Sequence, residues 1–429
     1  MTDARWSEPA PARRWSWTDP ALRSAVIQIT LAIALVWMAW SFFANAQANL
    51  ARQGIASGFG FLDNSAGFGI TQTLIPYSES MSYGRAFLVG LLNTLLVAVL
   101  GIILATIIGF LVGVARLSKN VVIKLLASAY VEVTRNLPPL FQILFWYLAV
   151  LSTMPNPRQS WGFGLQPLLT WLSNAAAGLG LAPLADMLKS LAGDVSGPSV
   201  FLSNRGLVVP RPLFEADFSI VFGIFVAGIV AAFLVSRWAR RRQEKTGQQF
   251  PSFWVGLGLI VVPAVIAGFV LGWPVSFEKP ELRGFNFAGG IRVIPEFVSL
   301  VVALSIYTAG FIAEIVRAGI LAVSKGQTEA AHSLGLRSGP TLRLVVIPQA
   351  MRVIVPPLTS QYLNITKNST LGVAVGYPDL FAVFAGTTLN QTGQAIEIIA
   401  LTMAVYLAIS IFTSIVMSWY NKRVALVER

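Results

Sequence analysis

Two groups of residues in this sequence have the types and spacing to do chemistry. The first is a polar, basic stretch from Val323 to Pro348. In it Glu329-Ala330-Ala331 is followed after three residues by Gly335 and, nine residues further on, by Val345-Val346-Ile347-Pro348. Good helix formers, then a glycine that lets the chain turn, then a second helical stretch interrupted by proline, describe a helix-turn-helix built to dock. The two alanines let a partner surface come close, and Lys325, Glu329, Arg337 and Arg343 supply charged contacts at the rim. The second group is polar and charged residues inside apolar runs: Asn93, Glu132, Arg135, Gln142, Glu314, Arg317 and the run Lys367-Asn368-Ser369-Thr370. Burying such groups in lipid is costly, so each is a candidate to line a path for a polar solute. A cation beside two hydroxyls, as at Lys367 to Thr370, suits a carboxylate. Glu132 with Arg135, and Glu314 with Arg317, stand three residues apart and could instead simply pair along their helices.

Enzymatic chemistry has little to work with. The chain has no cysteine and one histidine, His332, which leaves no thiolate nucleophile and too few ligands for a metal cluster. His332 reads as a variable polar position in the docking stretch. No Gly-x-x-x-x-Gly-Lys-Ser/Thr loop is present to cradle ATP phosphates, so energy for any work must come from a partner.

The elements that must position these residues are membrane helices. Of the 429 residues 55% are hydrophobic and 12% charged, against about a quarter charged in soluble domains. Apolar runs long enough to cross a bilayer lie at 25–45, 87–115, 121–151, 217–236, 252–272, 294–320, 354–376 and 395–418. The expectation is an all-α polytopic membrane protein of about eight transmembrane helices. A ninth apolar stretch, Phe163 to Ala185, is interrupted by Gly178, Gly180 and Pro183; it reads as a short amphipathic helix. The first run ends in Ala44-Asn45-Ala46 behind Arg13, Arg14 and Arg23, in the manner of a signal peptide, but it is longer than an ordinary one and reads as a retained helix.

The net charge of +12 is not a nucleic-acid footprint. Lys and Arg gather at Arg116 to Lys119, Arg237 to Lys245, Lys325 to Arg343 and Lys422 to Arg423, between or after apolar runs, as the loops on the cytoplasmic side do. The Arg237 to Lys245 group reads as a short loop joining two spans, and both termini then fall on the cytoplasmic side.

The docking stretch resembles the coupling loop of the inner-membrane permeases of bacterial ABC importers, which reads Glu-Ala-Ala, three residues, Gly, nine residues, Ile-x-Leu-Pro. Val345 and Ile347 stand where the pattern has Ile and Leu. Tyr307 to Gly319, Asn364 to Leu371, Gly90-Leu-Leu-Asn-Thr-Leu95 and Tyr130 to Pro139 are similar to further elements of the polar amino acid permeases (the His/Glu/Gln/Arg/opine family). The resemblance covers about 85–152 and 294–420, the five-helix, MetI-like core. The extra first helix and the insertion resemble the long form of broad-specificity L-amino acid uptake systems, the Aap/Bzt type.

The resemblance implies a non-catalytic subunit that moves L-amino acids, polar and acidic ones included, across the bacterial inner membrane by ATP-driven alternating access. It implies a cytoplasmic ABC ATPase dimer, a second and homologous permease chain, and a periplasmic amino-acid-binding protein as partners. ATP and magnesium would bind the ATPase, and this chain would hold no cofactor. Lys325, Gly326, Glu329, Ala330, Ala331, Gly335, Arg343, Ile347 and Pro348 become the ATPase-coupling residues; Asn93, Gln142, Glu314 and Lys367 to Thr370 become candidates for the substrate path. The implied organisation is a cytoplasmic tail 1–24, an extra helix 25–46, a periplasmic segment 47–86 and a first core part 87–152. An insertion 153–293 with periplasmic segments and a transmembrane hairpin follows, then a second core part 294–420 with its loop 321–348, and a cytoplasmic tail 421–429. The alternative class, an ion-gradient-driven secondary transporter for small polar solutes, predicts inverted repeats, and none is evident in the sequence.

Overall fold

The computed structural model describes residues 20–52, 54, 58–164, 166–192 and 200–424. Most of the expected N-terminal tail, with Arg13 and Arg14, and residues 425–429 of the C-terminal one lie outside these. Among the described residues, seven helices are long and apolar enough to cross a membrane. α1 (Pro20–Arg52) and α2 (Tyr83–Ala115) come first. Where one span was expected at 121–151, the chain forms α3 (Val121–Asn136) and α4 (Pro139–Leu144), the latter prolonged by a π-helical stretch, Phe145–Leu151. Pro138 and Pro139 cause the break, since neither can donate a backbone hydrogen bond to the preceding turn.

The short helices α5 (Gln166–Gly178) and α6 (Ala182–Ala192) fold against each other about Gly180, whose φ of 74° suits the turn. They occupy the stretch expected as one amphipathic helix, and neither is long enough to span. α7 (Phe218–Thr246) and α8 (Ser252–Val270) form the expected hairpin. They approach closely because Gly228 sits on the backbone of Leu259 and Ile260. The expected basic loop is corrected here: Arg237 to Lys245 continue α7, which stops only at the left-handed Gly247. Arg and Lys are good helix formers, and cations at a helix C-terminus complement its dipole.

The segments around this hairpin, expected as periplasmic, contain eight short strands among the described residues, so the mostly helical fold carries a small β crown. β1 (Trp161–Phe163), β2 (Val200–Ser203), β3 (Gly206–Val209) and β8 (Ile291–Val293) make an antiparallel sheet in that order. β4 (Arg211–Phe214) pairs with β5 (Val275–Glu278), and β6 (Glu281–Arg283) with β7 (Asn286–Ala288).

β8 runs straight into α9 (Pro295–Leu321), the most enclosed of the long helices. Then come α10 (Lys325–Ser333), α11 (Ser338–Thr341), a π-helical stretch Leu342–Val346, and α12 (Ile347–Asn368). The helical path of this span therefore begins well before the expected residue 354. A 3-10 turn, Ser369–Val375, and a second π-helical stretch, Phe381–Thr388, lead through α13 (Leu389–Thr392) to α14 (Ala395–Val424).

α2 and α9 lie parallel, joined along Val97, Leu300 and Leu304 near their starts and Ala105, Ile312 and Val316 towards their ends. In lipid the hydrophobic effect does not draw helices together, and close approach through small residues takes its place. A Cβ on Gly109 would stand 2.6 Å from Ile312 Cβ, and one on Gly113 2.8 Å from the Ala313 carbonyl oxygen. The same seam seats α12, since Ala350, Ile354, Leu358 and Ile365 complete the cluster. Residues 58–82 fold over the other end, where Phe61 and Ala66 meet Tyr83, Leu380, Phe384 and Ile398. There the Tyr77 hydroxyl donates to the Phe68 carbonyl at 2.8 Å. Burial, helped by the Glu79 carboxylate, raises the Tyr77 phenol above its usual range and keeps that donor protonated.

Overpacking the seam costs about 1–3 kcal/mol, more than the ~1 kcal/mol of helix propensity that alanine gains over glycine. Thermal unfolding of the detergent-solubilised protein should therefore show Gly109→Ala lowering the midpoint, while Gly258→Ala on α8, whose Cβ meets nothing within 4 Å, leaves it unchanged or raised.

Candidate functional site

The docking stretch is a rigid elbow. α10 ends in a Schellman turn: Gly335 has φ 80°, its N–H bonds the His332 carbonyl at 2.9 Å, and the Leu336 N–H reaches the Ala331 carbonyl at 3.1 Å. His332 closes it from the side, Nδ1–H donating to the Leu336 carbonyl at 2.9 Å. The single histidine thus has a structural partner inside the loop. Ala331 is buried beneath α10, whereas Lys325, Gly326, Glu329, Ala330, Gly335, Arg343, Ile347 and Pro348 are exposed. With them Leu334, Leu342 and Leu344 turn large apolar side chains outward. All the predicted docking residues but Ala331 are therefore exposed, with large apolar side chains standing among the charged ones.

At the root of this elbow Glu314 is held by two arginines. Arg317, one turn on, donates to it at 2.7 and 3.2 Å, and Arg116, just past the end of α2, forms a second ion pair. The pairing of Glu314 with Arg317 is the structural alternative read from the sequence. Arg116 is an addition that sequence spacing could not show, being 198 residues away. Glu132 and Arg135 do not pair: Glu132 accepts from Asn136 at 3.5 Å and Arg135 lies over the Phe311 ring at 5.2 Å.

Gln142 serves the break between α3 and α4. Its amide donates to the carbonyls of Thr134 (2.9 Å) and Leu137 (3.1 Å). Pro138 cannot satisfy the Thr134 carbonyl four residues back, and without water the acceptor needs a side chain. The run Lys367 to Thr370 is where α12 gives way to the 3-10 turn. The Ser369 hydroxyl donates to the Thr366 carbonyl and that of Thr370 to the Lys367 carbonyl, both at 2.8 Å. Lys367 is exposed and has no carboxylate partner among the described residues.

Asn93 lies in a buried knot beyond that turn. Its side-chain amide donates to the carbonyls of Gln72 and Pro378, both at 2.9 Å, and its backbone carbonyl accepts from the Tyr377 hydroxyl at 3.1 Å. Thr94 accepts the Leu380 N–H at 3.0 Å, and Gly90 lets the 379–380 backbone lie against α2. Asp379, fully buried, accepts from the Ala382 N–H at 2.8 Å and the Tyr406 hydroxyl at 3.2 Å. The structure thus gathers the predicted polar residues at three places rather than one: Glu314 at the elbow, Gln142 at the α3–α4 break, and Asn93 with Lys367 to Thr370 around the α12 end. Asp379 escaped the sequence reading. Its signal was available, as the one acid between Glu329 and Glu397.

Residues 219–426 match the family described as the inner membrane component of binding-protein-dependent transport systems. The chain is 49% identical over 411 residues to the general L-amino acid transport system permease protein AapQ of Rhizobium johnstonii, covering 96% of this chain and 94% of the relative. It is 48% identical over 414 residues to the putative amino-acid ABC transporter permease protein YhdX of Escherichia coli (96% and 97% covered). To the glutamate/glutamine/aspartate/asparagine transport system permease protein BztB of Rhodobacter capsulatus it is 42% identical over 430 residues, with 96% of each covered. The chain belongs to this family of ABC-transporter permeases, and the match to these relatives covers 96% of it, insertion included. The secondary-transporter alternative has no support from these relatives. The family match begins at α7, leaving the expected first core part, 87–152, outside the matched stretch.

Gln142→Leu should leave two carbonyls orphaned at about 1–3 kcal/mol each. The expected outcome is a lower unfolding midpoint in detergent, with the helical circular dichroism of the folded state retained at low temperature.

Proposed function

We propose that this chain is one of two permease subunits of an importer that carries L-amino acids across the bacterial inner membrane, driven by an ATPase dimer docked on the α10 to Pro348 elbow. The observation that carries this reading is the exposed Glu-Ala-Ala elbow, rooted by Glu314 in the α2–α9–α12 bundle. A push on α10 is passed through a single left-handed residue and a tight turn into α12, which packs on α2 and α9, and those two helices are tied to each other by the Arg116–Glu314 ion pair. ATP and magnesium belong to the partner ATPase, and this chain contributes the moving wall of the path.

The distribution of charge supports the orientation. Arg116, Lys325, Arg337 and Arg343 share the elbow end, and Met417 of α14 packs there, which brings Lys422 and Arg423 to the same side. The basic end of α7 points away from the β4–β5 crown. By the positive-inside rule that end is cytoplasmic. α9, 27 residues long, reaches about 40 Å to the other side. A periplasmic amino-acid-binding protein delivers substrate there, and the second permease is a homologous chain. Broad L-amino acid specificity is supported by the names of the full-length relatives.

For the path itself, Lys367 and Asn368 fit a substrate carboxylate better than Ser369 and Thr370, whose hydroxyls already donate to backbone carbonyls. Asn93 and Gln142 are committed to holding backbone in place.

Two measurements test this. In proteoliposomes with the complete importer, Glu329→Lys with Ala330→Asp should cut ATP-dependent amino acid uptake about tenfold or more, since both side chains are exposed on the docking face. Unchanged uptake would sink the coupling role. Lys367→Ala should raise the KM for uptake with its maximal rate largely kept, as loss of one charge-assisted contact does; identical kinetics would strike Lys367 from the path.

A further inference from the structure

The crown contains a cationic pocket that the transport cycle above does not use. It has a volume of about 40 Å³ and is lined by Ser203, Arg205, Asn286, Phe287 and Arg292 among others. Its arginines come from far apart in the sequence and are set in place by neutral partners. Arg205 donates to the Asn286 side chain, and Arg292 Nε to the Arg205 carbonyl at 3.3 Å. Beside the pocket, next to the lining residue Pro157, Arg158 donates to the Gly284 carbonyl at 3.1 Å and lies over the Phe285 ring at 4.0 Å. None of these three guanidinium groups has a carboxylate partner among the described residues. Two acids stand nearby: Glu278 pairs with Arg211 at 3.8 Å through one carboxylate oxygen and rests its other oxygen against the lining residue Gly289, and Glu281 pairs with Arg283 at 3.4 Å.

Like charges gathered this way repel, and an incoming anion relieves the repulsion. The space admits a carboxylate group. Arg158 adds a further charge beside the pocket, which favours a surface bearing several acids over a single small anion. Position argues against a lipid headgroup. The β2–β3 turn bearing Arg205 sits over the first turn of α9, where Gly206 meets the Val293 carbonyl and the Pro295 nitrogen so closely that a Cβ would not fit. α9 is enclosed by α2, α3, α4 and α12, so its start opens at the middle of the bundle and not at its lipid-facing rim.

We infer that this arginine pocket receives an acidic side chain of the soluble amino-acid-binding protein and fixes that protein over the mouth of the bundle. The inference rests on the orientation given under the proposed function, which puts the crown outside.

The test uses the whole importer in liposomes, with ATPase activity stimulated by its amino-acid-loaded binding protein. Arg205→Glu with Arg292→Glu should raise the half-stimulating concentration of binding protein about tenfold or more, with basal ATPase and the rate at saturation unchanged. The wild-type value should itself rise as salt goes from about 50 to about 300 mM, where screening shortens, and the double variant should lose that dependence. Should the double variant not assemble, Arg158→Glu, exposed beside the pocket, gives the same readout. A wild-type half-stimulating concentration in a folded variant overturns the pocket while leaving the permease reading intact. A defect that appears only with anionic lipid in the liposomes assigns the pocket to headgroups and overturns it too. A wild-type importer that binding protein does not stimulate at all overturns both.

Discussion

Everything in this molecule hangs on how closely α9 can approach α2. Inside a bilayer there is no water to expel, so helices hold together by van der Waals fit and by polar groups that have nowhere else to bond. Glycine at 109 and 113 lets the α2 backbone touch α9 side chains directly, and Gly319 lets α12 do the same from another side, where a Cβ would come within 2.3 Å of Ile354. Because α9 is clamped on several faces, it is the element that links the β crown at its start to the elbow at its end. Motion of either end is felt at the other through one stiff helix.

The polar residues of the bundle obey the same constraint. Gln142, Asn93, Thr94 and Asp379 each hold backbone groups that a proline or a helix end has left without a partner. An unpaired carbonyl in hydrocarbon costs several kcal/mol, so these side chains are needed where they stand before any question of substrate arises. That is why they occur in apolar runs and why they look, in the sequence, like a transport path. Lys367 differs from them, because no backbone group requires it.

How much was legible follows from range. The elbow was readable because its elements are local: helix formers, one glycine for the left-handed turn, one proline at fixed spacing. The spans were readable from length and hydropathy, and the α3–α4 break could have been, from Pro138 and Pro139 alone. The π-helical stretches at 145–151, 342–346 and 381–388 were not, since an extra residue per turn leaves no mark in hydrophobic periodicity. Strands of three or four residues were hidden in the same way, too short to show alternation. The Arg116 to Glu314 pair and the convergence of Arg158, Arg205 and Arg292 depend on tertiary contact and had no local signal. The end of α7 was misread for the opposite reason: its composition looks like a loop, but arginines make good helix.

The β4–β5 pair gives the long chain a further property. Phe214 stands opposite Val275 and Arg211 opposite Glu278, so the hairpin of α7 and α8 leaves and re-enters the crown through a neck one strand spacing wide, about 5 Å. A segment whose two ends already touch adds almost no closure entropy to the fold that hosts it, whatever its length. The hairpin is therefore a detachable module in the architectural sense.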